Sequence, residues 1–201
     1  MSRISWVDFF VEERSAEAAL EILVPRIRAD FDFQIHSYEG VGDMLAKLPG
    51  RLKGIASYIQ PDHRVVVVRD EDRKDCTKLK SEIEKIAIDA GLRPKAKRGR
   101  FDVLTRIAIE ELEAWWFGDT AALVAAFPGV PKTLATRQAF RDADRIKGGT
   151  WEALERLLRE AGHARGGLAK TAVARTMAAR VDLEKNTSRS FQAFRSGLLS
   201  L

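Results

Sequence analysis

Three groups of acidic residues have the types and spacing to do chemistry. Asp70 and Asp72 stand two apart directly after Arg64-Val65-Val66-Val67-Val68-Arg69, Glu12 and Glu13 follow the apolar run Ile4 to Val11, and Glu110, Glu111 and Glu113 precede Ala114-Trp115-Trp116-Phe117. Crowded carboxylates repel one another, and a hard divalent cation held by oxygen is the usual way to offset that repulsion. Each group also has a structural explanation. Asp70 to Asp75 suits a solvated turn that caps the next helix, and Glu12 and Glu13 suit an acidic first helical turn favoured by the macrodipole. Glu110 and Glu113, three apart, are expected to share one helical face while Glu111 points elsewhere; an exposed face beside a buried tryptophan pair would look the same.

Candidate phosphate-holding cations are Lys147 beside Gly148-Gly149, Lys170 after Gly166-Gly167, and Arg189 in Asn186-Thr187-Ser188-Arg189-Ser190-Phe191. All three sit where a helix is expected to begin or a loop to bend, positions suited to anions. The basic run Arg93 to Arg100 is an exposed loop that could also touch phosphates. No complete G-x-x-x-x-G-K-[ST] loop is present, which argues against an intrinsic NTPase, and Gly40 and Gly42 lack the third glycine of a dinucleotide fingerprint.

Composition narrows the chemistry further. A single cysteine, Cys76, excludes an internal disulfide, and His36, His63 and His163 lack the paired spacing of a zinc site, so any metal should be bound by oxygen. The apolar run ending at Val11 is interrupted by Asp8 and too short to span a bilayer, so no membrane association and a cytoplasmic location are expected. Residues 132–201 carry 14 Lys and Arg against 7 Asp and Glu, whereas residues 1–131 carry 20 against 22. A basic last part suits a polyanion such as nucleic acid, although helices with solvated arginine faces give the same count.

The elements that must position these residues alternate. Four valines between polar ends read as a central strand buried on both faces. Ile4 to Val11, Phe31 to Tyr38 and Phe101 to Ile109 read as three more strands. Between them Ser15 is a plausible N-cap for a helix that Pro25 should kink or shorten, a second helix runs from about Asp43 to Tyr58, and a third carries Leu79, Ile83, Ile86 and Ala87 and stops at Gly91. That rhythm predicts an α/β fold with a mostly parallel sheet, whose ligands bind along the carboxyl edge. After Asp119, a second N-cap by residue type, three short amphipathic helices are expected at Trp151 to Ala161, Leu168 to Arg180 and Ser190 to Leu199.

Glu12 after the first strand, Asp70-x-Asp72 after the central strand and the Glu110 to Glu113 stretch together resemble a Toprim domain, the fold of bacterial primases, type II topoisomerases and the overcoming-lysogenization-defect nucleases. The phrases Val11-Glu12-Glu13-Arg14-Ser15-Ala16-Glu17, Ile109 to Asp119 and Ser188-Arg189-Ser190-Phe191 are similar to an uncharacterised Toprim-like bacterial family over nearly the whole chain. The resemblance implies a Toprim-like core over residues 1–131, with about four strands and flanking helices, and a basic helical extension over 132–201 packed on it. It implies a Mg²⁺ (or Mn²⁺) site at Glu12, Asp70, Asp72 and Glu113, with Glu12, Asp70 and Asp72 catalytic. The implied function is a metal-dependent nuclease acting on DNA or RNA, with an ATPase partner in defence or mobile-element loci. Many Toprim nucleases have glycine after the first glutamate and an acid after the following Ser or Thr. This chain has Glu13 and Ala16 there, so Glu12 and Glu13 remain alternatives and Glu17 could supply the missing acid. A non-catalytic nucleic-acid-binding or regulatory subunit of an ATPase complex is the alternative function. A receiver-like pocket would need aspartates after the first strand, and neither Tyr38 nor Tyr58 is placed as a topoisomerase nucleophile.

Overall fold

A computed structural model describes residues 3–96, 99–163 and 168–201. The Gly166-Gly167 turn and the Lys97-Arg98 part of the basic loop lie outside the described residues.

The chain runs β1 (Trp6–Val11), α1 (Arg14–Ile27), β2 (Asp32–Ser37), α2 (Val41–Ala56), β3 (His63–Asp70), α3 (Cys76–Asp89) and β4 (Val103–Ala108). The four strands form one sheet in the order β2-β1-β3-β4, and every neighbouring pair is parallel. β3 is inside the sheet and buried along its whole length, as four consecutive valines require. Val65 and Val67 face α2 and α3 across a layer with Phe10, Met44, Leu48 and Ile83. Val66 and Val68 face the opposite layer with Phe9, Val11, Leu20 and Leu23. Each fully buried valine contributes about 2 kcal/mol through loss of apolar surface to water. A charge substituted at any of the four would therefore break the sheet at its centre.

The second half is helical: α4 (Ala114–Phe117), α5 (Thr120–Ala126), α6 (Thr150–Glu160), α7 (Lys170–Ala178) and α8 (Arg189–Leu199), with short 3₁₀ turns between residues 134 and 145. These helices close over the Val66 face, and their apolar residues join the same cluster as the sheet, from Trp115 through Leu154 and Met177 to Phe194. The core therefore runs without interruption through residue 131. No described helix is long and apolar enough to cross a membrane.

Three local expectations need correction. Asp70 is the last residue of β3, paired with Ala108, so it belongs to the strand and only Asp72 to the loop. Glu13, not Ser15, holds the N-cap position of α1, with no side-chain capping hydrogen bond; Ser15 is buried and its hydroxyl donates to Glu13 Oε1 at 2.6 Å. Residues 110–113 are not helical. Glu110 adopts a left-handed φ of 59°, helix begins only at Ala114, and Glu110 and Glu113 share no helical face. Pro25 lies inside α1, which ends two residues later, at Ile27.

Candidate functional site

The acids meet at the carboxyl edge of the sheet because adjacent parallel strands end there together. Val11 pairs with Val68, so Glu12 leaves β1 beside the last turn of β3, and Asp70 keeps the facing of Val66 and Val68, toward α1 and the helical second half. Glu13 opens α1 and Glu113 opens α4. From the opposite side α7, packed along α1, delivers Lys170 as its first residue. The Lys170 Nζ lies 2.6 Å from Glu13 Oε1 and 3.7 Å from Glu113 Oε1, and 5.6 Å from the centroid of the Trp151 ring.

Burial sets the electrostatics of this group. Asp70 is 9% exposed and Glu113 1% exposed. Loss of water raises the Asp70 carboxyl well above its ordinary value, and the neighbouring charges of Glu113 and Glu12 push it further, against the pull of Lys170. Burial likewise lifts Glu113 to about 7, with Lys170 opposing. Glu12 is raised by burial and by Asp72, while Arg69 and a backbone hydrogen bond from Asp70 act the other way. Burial works against the Lys170 ammonium, but Glu113, Glu13 and Asp70 outweigh it and raise Lys170 above its usual value.

Glu12 also joins this buried group to an open cleft. Asp72 is exposed and couples electrostatically to Glu12, and it lines a cleft of about 190 Å³ with Arg73, Glu110, Glu111, Gly149 and Glu152. Asp72, Arg73 and Glu110 have φ values of 50°, 60° and 59°, a conformation that costs L residues of order 1 kcal/mol each. The strain is held by tight ties: Asp72 N–H donates to Glu110 O at 3.0 Å, and Glu110 N–H to Glu71 Oε2 at 3.2 Å. Arg73 Nε stands 3.7 Å from Glu110 Oε2. Gly149 is favoured where it is by its φ of 95°, a left-handed conformation that L side chains rarely adopt. Glu111 accepts from Thr150 Oγ1 and Trp151 N–H, each at 2.8 Å, and so fixes the start of α6 over the cleft.

The structure thus brings buried Asp70 and Glu113 together with half-buried Glu12, Glu13 and Lys170, with Asp72 and Glu110 in the adjoining cleft. Lys147 is exposed two residues from the cleft's Gly149. Arg189 is exposed, and its backbone N–H donates to Asp144 Oδ2 at 2.6 Å as α8 begins. The tryptophan phrase is mostly structural: Trp115 Nε1–H donates to Ser190 Oγ at 3.0 Å, and Gly118 allows Asn186 to approach so that its amide reaches Trp115 O at 2.8 Å. Arg73 and Glu152 were not among the sequence candidates; the signal for Arg73 was its place directly after Asp70-x-Asp72. The histidines yield a different grouping. His36 and His63, from β2 and β3, place Nε2 2.7 Å from the two oxygens of buried Asp8.

The donors suit a hard divalent cation: all are carboxylate oxygens, and Glu12 Oε2 and Glu113 Oε2 are buried with no hydrogen-bond partner. As the side chains stand, no three His, Cys, Asp or Glu among the described residues converge closely enough to form a finished cage, and the Lys170 ammonium occupies the place between Glu13 and Glu113. No curated protein and no solved structure matches the chain. A family model described as "Domain of unknown function (DUF4276)" matches residues 11–199.

Proposed function

Since the chain belongs to the DUF4276 family, whose description carries no activity, we propose from the site itself that the protein is a metal-dependent phosphodiesterase of Toprim type that cleaves DNA or RNA. The observation that carries this reading is the buried carboxylate group at the carboxyl edge of the sheet, with Glu12 Oε2 and Glu113 Oε2 left without partners. Burying carboxyl oxygens that have no hydrogen-bond partner is costly, and stability alone gives no reason to retain them.

Asp70 and Asp72 would hold Mg²⁺ or Mn²⁺, with Glu12 and Glu113 completing the set. The chemistry such an ion supplies is Lewis-acid polarisation of a phosphate oxygen. Glu12 lies between Asp70 and the open cleft; as the alternative to ligating the ion, its raised carboxyl would exchange a proton at the scissile oxygen. Lys170 pairs with Glu13 and Glu113 at rest and would offset charge on a phosphate in the transition state. Glu111 does not act on substrate; it positions α6.

One observation favours a second reading. Lys170 already pairs with two of the acids, so the group is partly satisfied without a metal, as in a non-catalytic nucleic-acid-binding or regulatory subunit of a partner ATPase. Cleavage of plasmid, single-stranded DNA and tRNA by the wild type and Asp70→Asn, each with Mg²⁺, Mn²⁺ or EDTA, separates the two. Cleavage should require metal and fall at least about 100-fold in the variant. Undiminished cleavage by Asp70→Asn would sink the assignment, and metal-independent binding without cleavage would favour the second reading.

A further inference from the structure

A second cleft lies one helical turn further along α6. It is larger, about 500 Å³, and its walls include Gln138, Phe140, Arg145, Lys147 and Arg156, with no carboxylate among its lining residues. It adjoins the acidic cleft on two paths. Lys147 is joined to Gly149 through Gly148, and Arg156 follows Glu152 by four residues on α6, about 6 Å along the axis.

The cations of this cleft are largely uncommitted. Arg145 has a single exposed pairing, to Asp142 at 3.7 Å, and neither Lys147 nor Arg156 has an ion pair among the described residues. Phe140 is half-buried, its ring held by a parallel stack on Phe117 with centroids 5.2 Å apart. The Gln138 side chain is exposed and makes no hydrogen bond among the described residues. Unpaired cations, an anchored aromatic ring and a free amide in one cleft are the parts that hold a nucleotide: charge for the phosphate, a ring for the base face, donor and acceptor for the base edge.

We propose that this cleft seats one nucleotide of single-stranded nucleic acid next to the nucleotide whose phosphate enters the acidic site. Lys147 and Arg156 take the backbone phosphate, Phe140 stacks the base and Gln138 reads its edge. A paired and stacked base cannot present its face to a ring inside a cleft, so the arrangement selects single strands over duplex. The proposal rests on the nucleic-acid reading above and adds to it the form of the substrate and where it lies.

Fluorescence anisotropy in EDTA tests it without cleavage, using labelled oligothymidylate and oligouridylate of about 12 nucleotides, a span within the range of one single-strand site, and a duplex of the same length. Wild type and Asp70→Asn should bind both single strands more tightly than the duplex. Lys147→Gln/Arg156→Gln should lose at least about tenfold in affinity, with the slope of log affinity against log salt shallower by about 1.4, two released phosphate contacts on a single strand. Phe140→Leu, which keeps an apolar contact with Phe117, should weaken single strands by about tenfold and leave the duplex unchanged. Lys53→Gln, on α2, serves as the control for a charge lost elsewhere. Unchanged affinity and slope in the double variant, an equal loss in Lys53→Gln, or tighter binding of duplex would overturn the assignment. If Asp70→Asn abolishes cleavage while the double variant binds like wild type, the nuclease reading stands and this cleft does not. If nothing is cleaved and the double variant still loses single-strand affinity, the reverse holds.

Discussion

Asp70 ends a strand whose preceding buried residues are mostly valine, and a valine there would have packed at no electrostatic cost. A carboxylate at that position is crowded by Glu12 and Glu113 and has Lys170 as its nearby counter-charge. Burial makes stability depend on pH through Glu113. Its carboxyl is raised from 4.5 to about 7 in the fold, so its stabilising contribution is fully present below about 4.5 and is lost as pH rises through 7. In EDTA the wild type should lose of the order of 3 kcal/mol over that window from this group, and Glu113→Gln should flatten the loss. Denaturant melts at pH 4.5 and 8 check this, and equal pH dependence in the two proteins would show that Glu113 is not strained. At this scale the sequence was informative where a residue's role follows from a strand end. Glu12 and Glu113 stand near enough to raise the Asp70 carboxyl, and each of the three stands beside an apolar run whose direction could be read. The shared face expected of Glu110 and Glu113 failed because a left-handed φ at Glu110 leaves no mark on hydrophobic spacing.

Among the elements, α7 decides the state of the site. It packs along α1, and Arg26 of α1 donates to the carbonyls of Ala178 and Val181 while Arg175 of α7 reaches Glu21 at 2.8 Å. This clamp holds Lys170 between Glu13 and Glu113. Lys170→Met leaves those acids without their cation, and removing one partner of a buried pair costs about 3 kcal/mol. The variant should therefore melt lower in EDTA, recover on addition of Mn²⁺, and lose less when Glu113→Gln is combined with it. A Lys170→Met protein as stable as wild type in EDTA would show that the ion pairs contribute nothing. The alternation of strands and helices was legible from valine-rich runs and helical spacing, and so was the parallel sheet. What was not legible was which helix covers which acid. Lys170 and Glu13 are far apart in sequence, and no periodicity reports the α1 and α7 packing. The 3₁₀ turns between residues 134 and 145 have too little apolar repeat to announce themselves.

For the whole molecule, an acidic cleft and a cleft lined by no carboxylate are neighbours along α6. The strand ends supply the carboxylates, and α6 carries Glu152 into the acidic cleft and Arg156 into the basic one. One apolar cluster from Ile4 to Leu198 holds the two surfaces in fixed register. The shared core did not follow from the charge counts, because composition carries no record of which faces pack together. The central claim is that the buried acids are a site for a divalent cation, and it can be tested without substrate or partner. Titration of Mn²⁺ into metal-free protein at neutral pH, followed by calorimetry on the wild type and Asp70→Asn, measures it directly. The account predicts saturable binding to the wild type, weakened at least about tenfold by loss of one carboxylate, the scale of losses at metal sites. Equal affinity in the two proteins, or no binding to the wild type, would contradict it.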